Sequence, residues 1–151
     1  MSFVPYFEIF LIVALGYALL RGGGPERIAA LLYMLGSAGS LVGGWRGMPG
    51  GFSIVPTYLL VVDVALLIGL LILSMRANRL WLVPATACQL VAVLVHVTKL
   101  VAPAMIPMSY AFLITIWSWP MVFLLAIGTR RHRRRAKAGT VTPDWKLIFA
   151  P

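Results

Sequence analysis

The chain has 151 residues, of which 61% are apolar and 11% charged, and it carries a formal charge of +9. A soluble domain of this length carries roughly 25% charged residues to cover its surface, so the composition excludes an ordinary water-soluble globule. The cations lie between apolar stretches and near the C-terminus rather than along a groove, which excludes a nucleic-acid binder and predicts a membrane protein.

The first apolar segment runs over about 3–20, roughly 27 Å of helix at 1.5 Å per residue. No positive residue precedes it, Glu8 lies within it and no small-x-small cleavage site follows, so it is expected to be an uncleaved transmembrane helix rather than a signal peptide. Arg21-Gly22-Gly23-Gly24 ends it, and Pro25 and Glu26 open the next helix. Proline lacks only an N–H already orphaned there, and glutamate suits the positive helix end.

Segment two, about 28–45, carries Gly36, Gly39, Ser40 and Gly43. Small residues at four-residue spacing let two helix backbones approach closely in lipid. They are expected to pack inside the bundle, with dimerisation through the same face as the alternative.

A turn dense in breakers, 46–51, leads to Ser53 as helix cap and to segment three, about 54–75, with Pro56 in its first turn. Arg76-Ala77-Asn78-Arg79 reads as a short basic loop before segment four, about 80–101. The turn at 102–107 precedes segment five, about 108–127, where Pro120 leaves the Ile116 carbonyl without its helical donor and bends the helix. The nearby Trp117 and Trp119 read as packing residues.

These five spans make residues 1–128 an all-α, polytopic integral membrane helix bundle, with 129–151 as a basic tail ending in a short apolar tip. Lys and Arg fix the orientation. One side holds Arg21, Arg27, Arg76, Arg79 and seven cations from Arg130 onward, eleven in all; the other holds Arg46 and Lys99. The N-terminus is then outside and the C-terminus cytoplasmic. A four-span arrangement, with segment two re-entrant or interfacial, would put both ends in the cytoplasm. Arginine exceeds lysine ten to three, a usage common in GC-rich bacterial genomes, which points to a bacterial inner membrane.

Ionisable groups near the middle of a span cost about 2.5–3.5 kcal/mol each on insertion scales, so each needs a reason. Four lie within spans: Asp63, the deepest, and Glu8, His96 and Lys99, nearer the outer interface. Gln89, His96 and Lys99 project from one side of segment four, within about 80° at 100° per residue. They are expected to look towards Asp63 on segment three and Glu8 on segment one. Such a cluster pins helices or forms a small outward-facing relay for protons.

Arg130, Arg131, Arg133, Arg134, Arg135 and Lys137 adjoin a membrane end, the arrangement that meets anionic lipid headgroups. Asp144-Trp145-Lys146-Leu147-Ile148-Phe149 is too apolar for an inert tail and is expected to fold back onto the membrane surface or to dock on a partner. Lone Cys88 excludes an intrachain disulfide, and one intramembrane histidine is too few for a metal site. No cofactor and no catalytic motif are expected. The leading expectation is a non-catalytic subunit, assembly factor or scaffold, partnered by other membrane subunits or a second copy. The alternative is a small proton-coupled transporter or permease.

Overall fold

The computed structural model describes residues 4–45, 57–139 and 143–146. They form helices α1 (Val4–Arg21), α2 (Gly24–Trp45), α3 (Thr57–Arg76), α4 (Leu82–Val101), α5 (Pro107–Ile116) and α6 (Ser118–Lys137). The turn at 46–51 and the Ser53 cap lie outside the described residues.

The bundle closes because consecutive helices pair and α6 returns to the middle. α3 packs between α2 and α4, α1 lies against α2 and α6, and α6 also meets α4. Small residues set the spacing at the centre. Ala14 and Ala18 on α1 and Ala29 and Ala30 on α2 are fully or almost fully buried, with Leu70, Leu82, Val122 and Leu125 closing over them. Outside this core the large apolar residues point outward, including Ile9, Ile12 and Val13 on α1, Ile68 and Ile72 on α3 and Phe112 on α5. Contiguous apolar surface of that kind requires a hydrocarbon solvent rather than water.

Among the described residues three stretches are long and apolar enough to cross a membrane: Thr57–Arg76, Leu82–Val101 and the 31-residue stretch Pro107–Lys137. The chain is therefore a helical membrane protein by length and composition. Five spans require α1 and α2 to cross as well.

The last stretch is interrupted where Pro120 removes a donor. α5 stops at Ile116 and α6 starts at Ser118, while Trp117 between them keeps a helical backbone (φ −72°, ψ −18°). Loss of one amide donor thus interrupts the helical bonding at Trp117 while the backbone there stays helical.

Three local expectations change. α6 continues ten residues past 127, so most of the basic run is helical rather than tail. Arg, Lys and Ala are strong helix formers, and Arg134, Arg135 and Lys137 in the last turn oppose the negative end of the helix dipole. Gly139, at φ +69°, then supplies the left-handed residue that ends it.

The segment 76–79 is not a plain basic loop, because Ala77 and Arg79 are both buried. Finally, the tail folds back on its own chain. Trp145 bridges to Ala77, the Asn78 N–H donates to the Asp144 carbonyl at 2.9 Å, and the Lys146 N–H donates to the Arg76 carbonyl at 2.8 Å. The apolar tip from Leu147 lies outside the described residues.

Candidate functional site

Polar side chains gather at two places in the bundle. The first joins α3, α4 and α5. Asp63 on α3 faces His96 on α4, with Oδ2 2.8 Å from Nε2, and the other ring nitrogen lies 2.7 Å from the Tyr110 hydroxyl on α5. Gln89, two turns before His96, donates from Nε2 to both the Asp63 carboxylate and its backbone carbonyl, each at 3.1 Å. His96 and Tyr110 are buried, whereas the Asp63 side chain keeps 25% of its exposure.

The ring's protons follow from its partners. A carboxylate only accepts, so Nε2–H donates to Asp63, and a neutral ring accepts the Tyr110 O–H at Nδ1. A second ring proton would donate from Nδ1 to the same phenolic oxygen, since a hydroxyl both gives and takes. The arrangement therefore accommodates either charge state of His96 with its heavy atoms in place.

Asp63, Gln89 and His96 thus come together, and Tyr110 joins them. Lys99 does not. Its ammonium donates to the carbonyls of Pro103 (2.9 Å) and Met105 (2.5 Å), where its long stem reaches the turn after α4. Glu8 stays away too, because α1 packs on α2 and α6 and its carboxylate is exposed among Tyr6, Ile9 and Ile12.

Gly36 and Gly39 of α2 face α3 of the same chain. A Cβ at Gly36 would meet Leu66 at 3.2 Å, and one at Gly39 would meet Val62 at 3.0 Å. Ser40 donates to the Gly36 carbonyl at 3.0 Å. The surroundings of Gly43 lie outside the described residues.

The second gathering sits at the other end, where the α1–α2 turn, the α3–α4 turn, α6 and the tail converge. Glu26 and Arg79 form an ion pair at 3.0 Å, with side chains 0% and 1% exposed. Trp81 Nε1–H also donates to the same glutamate oxygen at 3.3 Å. Arg79 reaches three further acceptors: the Asn78 carbonyl at 3.0 Å, His132 Nδ1 at 3.3 Å and the Asp144 carboxylate. The second Asp144 oxygen accepts from the Gly24 N–H at 3.0 Å. A side chain at Gly23 would run into the His132 ring, so glycine there lets the turn close on the cluster.

Sequence reasoning missed this second cluster. Its signal was scarcity: the chain has four acidic residues, and two of them, Glu26 and Asp144, share the turns and tail that carry eleven of its thirteen cations. Among the described residues no group of three or more His, Cys, Asp or Glu side chains is placed to hold a metal ion. Trp119 packs on Phe7 and Phe10 of α1, with ring centroids 5.3 and 6.1 Å apart, and so ties α6 to α1.

Beyond these residues, the basic face of α6 opens onto α1 in a cationic groove. Arg21, Arg27, His132, Arg133 and Lys137 border one cavity of about 420 Å³, and Tyr17, Arg130, Arg133, Arg134 and Lys137 border another of about 280 Å³. No protein-family model, curated protein or solved structure matches this chain.

Proposed function

We propose that the chain is a five-span bacterial inner-membrane protein, N-terminus outside and C-terminus cytoplasmic, acting as a non-catalytic subunit, assembly factor or scaffold of a membrane complex. The basic face of α6 meets anionic headgroups. The charge asymmetry supports this orientation even after two buried cations are set aside. Removing Arg79 from eleven leaves ten on the inner side, and removing Lys99 from two leaves one on the outer.

One observation carries the subunit reading. Asp63, Glu26 and Asp144 are all bonded within the chain, whereas Glu8 projects from the apolar outer face of α1 with no partner among the described residues. A carboxylate on such a surface is expensive in lipid, and a polar group on a neighbouring subunit relieves the cost.

The test is gentle extraction into lipid particles with a photo-crosslinker at Ile12 on α1 or, as control, at Leu94 on α4. A stoichiometric larger membrane protein, cross-linked from Ile12 and lost in Glu8→Leu, is the expected result. A lone monomer or homodimer overturns the subunit reading.

A second reading, a proton-coupled transporter, is favoured by the Asp63–His96–Tyr110 chain and its tolerance of both histidine charge states. It is tested by proton flux into vesicles holding the purified chain. Flux abolished by Asp63→Asn with the fold retained supports transport. Absence of flux in the unaltered chain, or flux unchanged by the substitution, removes this reading.

A further inference from the structure

The basic run is not evenly distributed around α6. Arg130, Arg133, Arg134 and Lys137 follow the i, i+3, i+4, i+7 spacing of one helix face, and all four line the groove against α1. Arg131 and Arg135 lie off it. Arg21, at the end of α1, and Arg27, in the first turns of α2, close the groove from the other side. Six guanidinium and ammonium groups from three helices therefore surround two adjoining cavities that share Arg133 and Lys137.

The chain cannot neutralise this groove with its own acidic side chains. It has four, and none of them lines either cavity, although Asp144 comes within 3.9 Å of His132 at its edge. Asp63 bonds His96 in the other cluster, Glu26 is buried on Arg79, and Glu8 lies about 18 Å along α1 from Leu20. Asp144 approaches most closely, but its two oxygens are taken by Arg79 and the Gly24 N–H. An anion from outside the chain can supply the counter-charge.

The walls say what kind of anion fits. Tyr17 and Leu20 carry the groove up the apolar surface of α1, so the ligand is charged at one end and apolar at the other. Two cavities with a shared cationic wall suit two phosphates on one molecule better than one. Basic pockets between membrane helices at the cytoplasmic side are suited to such headgroups.

We propose that the α1/α6 groove is a discrete binding site for a phospholipid whose headgroup carries two phosphates. This rests on the reading of α6 as a headgroup-facing helix and adds a defined site to it.

The full-length protein, purified in mild detergent, is titrated with cardiolipin and, at matched phosphate, with phosphatidylglycerol, and bound lipid is read by native mass spectrometry. One retained cardiolipin is expected, with phosphatidylglycerol at least about tenfold weaker. Each groove cation is expected to contribute about fivefold, so Arg133→Gln with Lys137→Gln lowers cardiolipin affinity about 25-fold. Arg27→Gln, on a different helix, should lower it about fivefold, and Arg131→Gln with Arg135→Gln by less than about threefold.

Equal losses for the two double variants, or equal affinity for both lipids per phosphate, would overturn the site while leaving a general headgroup attraction standing. No preference for either anionic lipid over phosphatidylcholine would sink both. Full displacement by inorganic pyrophosphate would overturn the lipid assignment in favour of a soluble diphosphate.

Discussion

The two ends of the bundle bury polar groups in different ways. At the tail end a guanidinium and a carboxylate, both fully enclosed, are held by the α1–α2 turn, the α3–α4 turn, α6 and the returning tail. There the guanidinium donates to four acceptors at once: Glu26, the Asn78 carbonyl, His132 and Asp144. At the α3–α4–α5 end the central group is an imidazole between a carboxylate and a phenol, and neither charge state breaks its bonds. The first arrangement fixes where the turns meet; the second ties α3, α4 and α5 through a single ring.

The contrast predicts unequal sensitivity. Arg79→Ala leaves Glu26 buried without its counter-ion and should cost about 3–5 kcal/mol, seen as near loss of folded protein on denaturant titration in detergent. Replacing both partners, Arg79→Met with Glu26→Gln, should recover part of that loss. If it does not, the ion pair is not the source. A second blow at the same end is steric: a Cβ at Gly128 would collide with the Trp81 indole that bonds Glu26. Gly128→Ala should therefore cost about 1–3 kcal/mol in the same titration.

At the other end, Tyr110→Phe removes the hydroxyl and leaves His96 Nδ1 buried without its donor. We expect about 1–2 kcal/mol there, with the helical circular dichroism unchanged. A loss equal to that of Arg79→Ala would erase the distinction between the two ends. The smallest effect is expected from Asp144→Asn. Its side chain is 29% exposed, and asparagine keeps an oxygen that accepts from Arg79, so about 1 kcal/mol is expected. That result would show the Glu26–Arg79 pair holding without the Asp144 charge, and a larger loss would make that charge part of the ionic joint.

Much of the helical layout was legible because an apolar run of about 20 residues has few other ways to bury its backbone. The interruption at Trp117 was legible too, since Pro120 removes a specific donor four residues after Ile116. Gln89 and His96 could be placed on one face from their spacing of seven. Lys99 and Glu8 could not be placed as well, because spacing gives a residue's face but not the reach of a lysine stem or the order of helices around the bundle. The Glu26–Arg79–Asp144 cluster was hidden for a related reason. Its members lie in turns and a tail, each with an adequate local explanation, and only the closed bundle brings them within bonding distance.

The tail's position also has a consequence for how the protein is made. Asp144 lies 65 residues after Arg79 and 120 after Gly24, the two groups it ties together. At about 5–20 residues per second, synthesis reaches Asp144 roughly 3–13 s after Arg79. During that interval Arg79 has Glu26, 53 residues earlier, as its available carboxylate. The final bonds at that end of the bundle therefore form only once the Asp144 segment has been made and released, so the bundle locks late in its biogenesis.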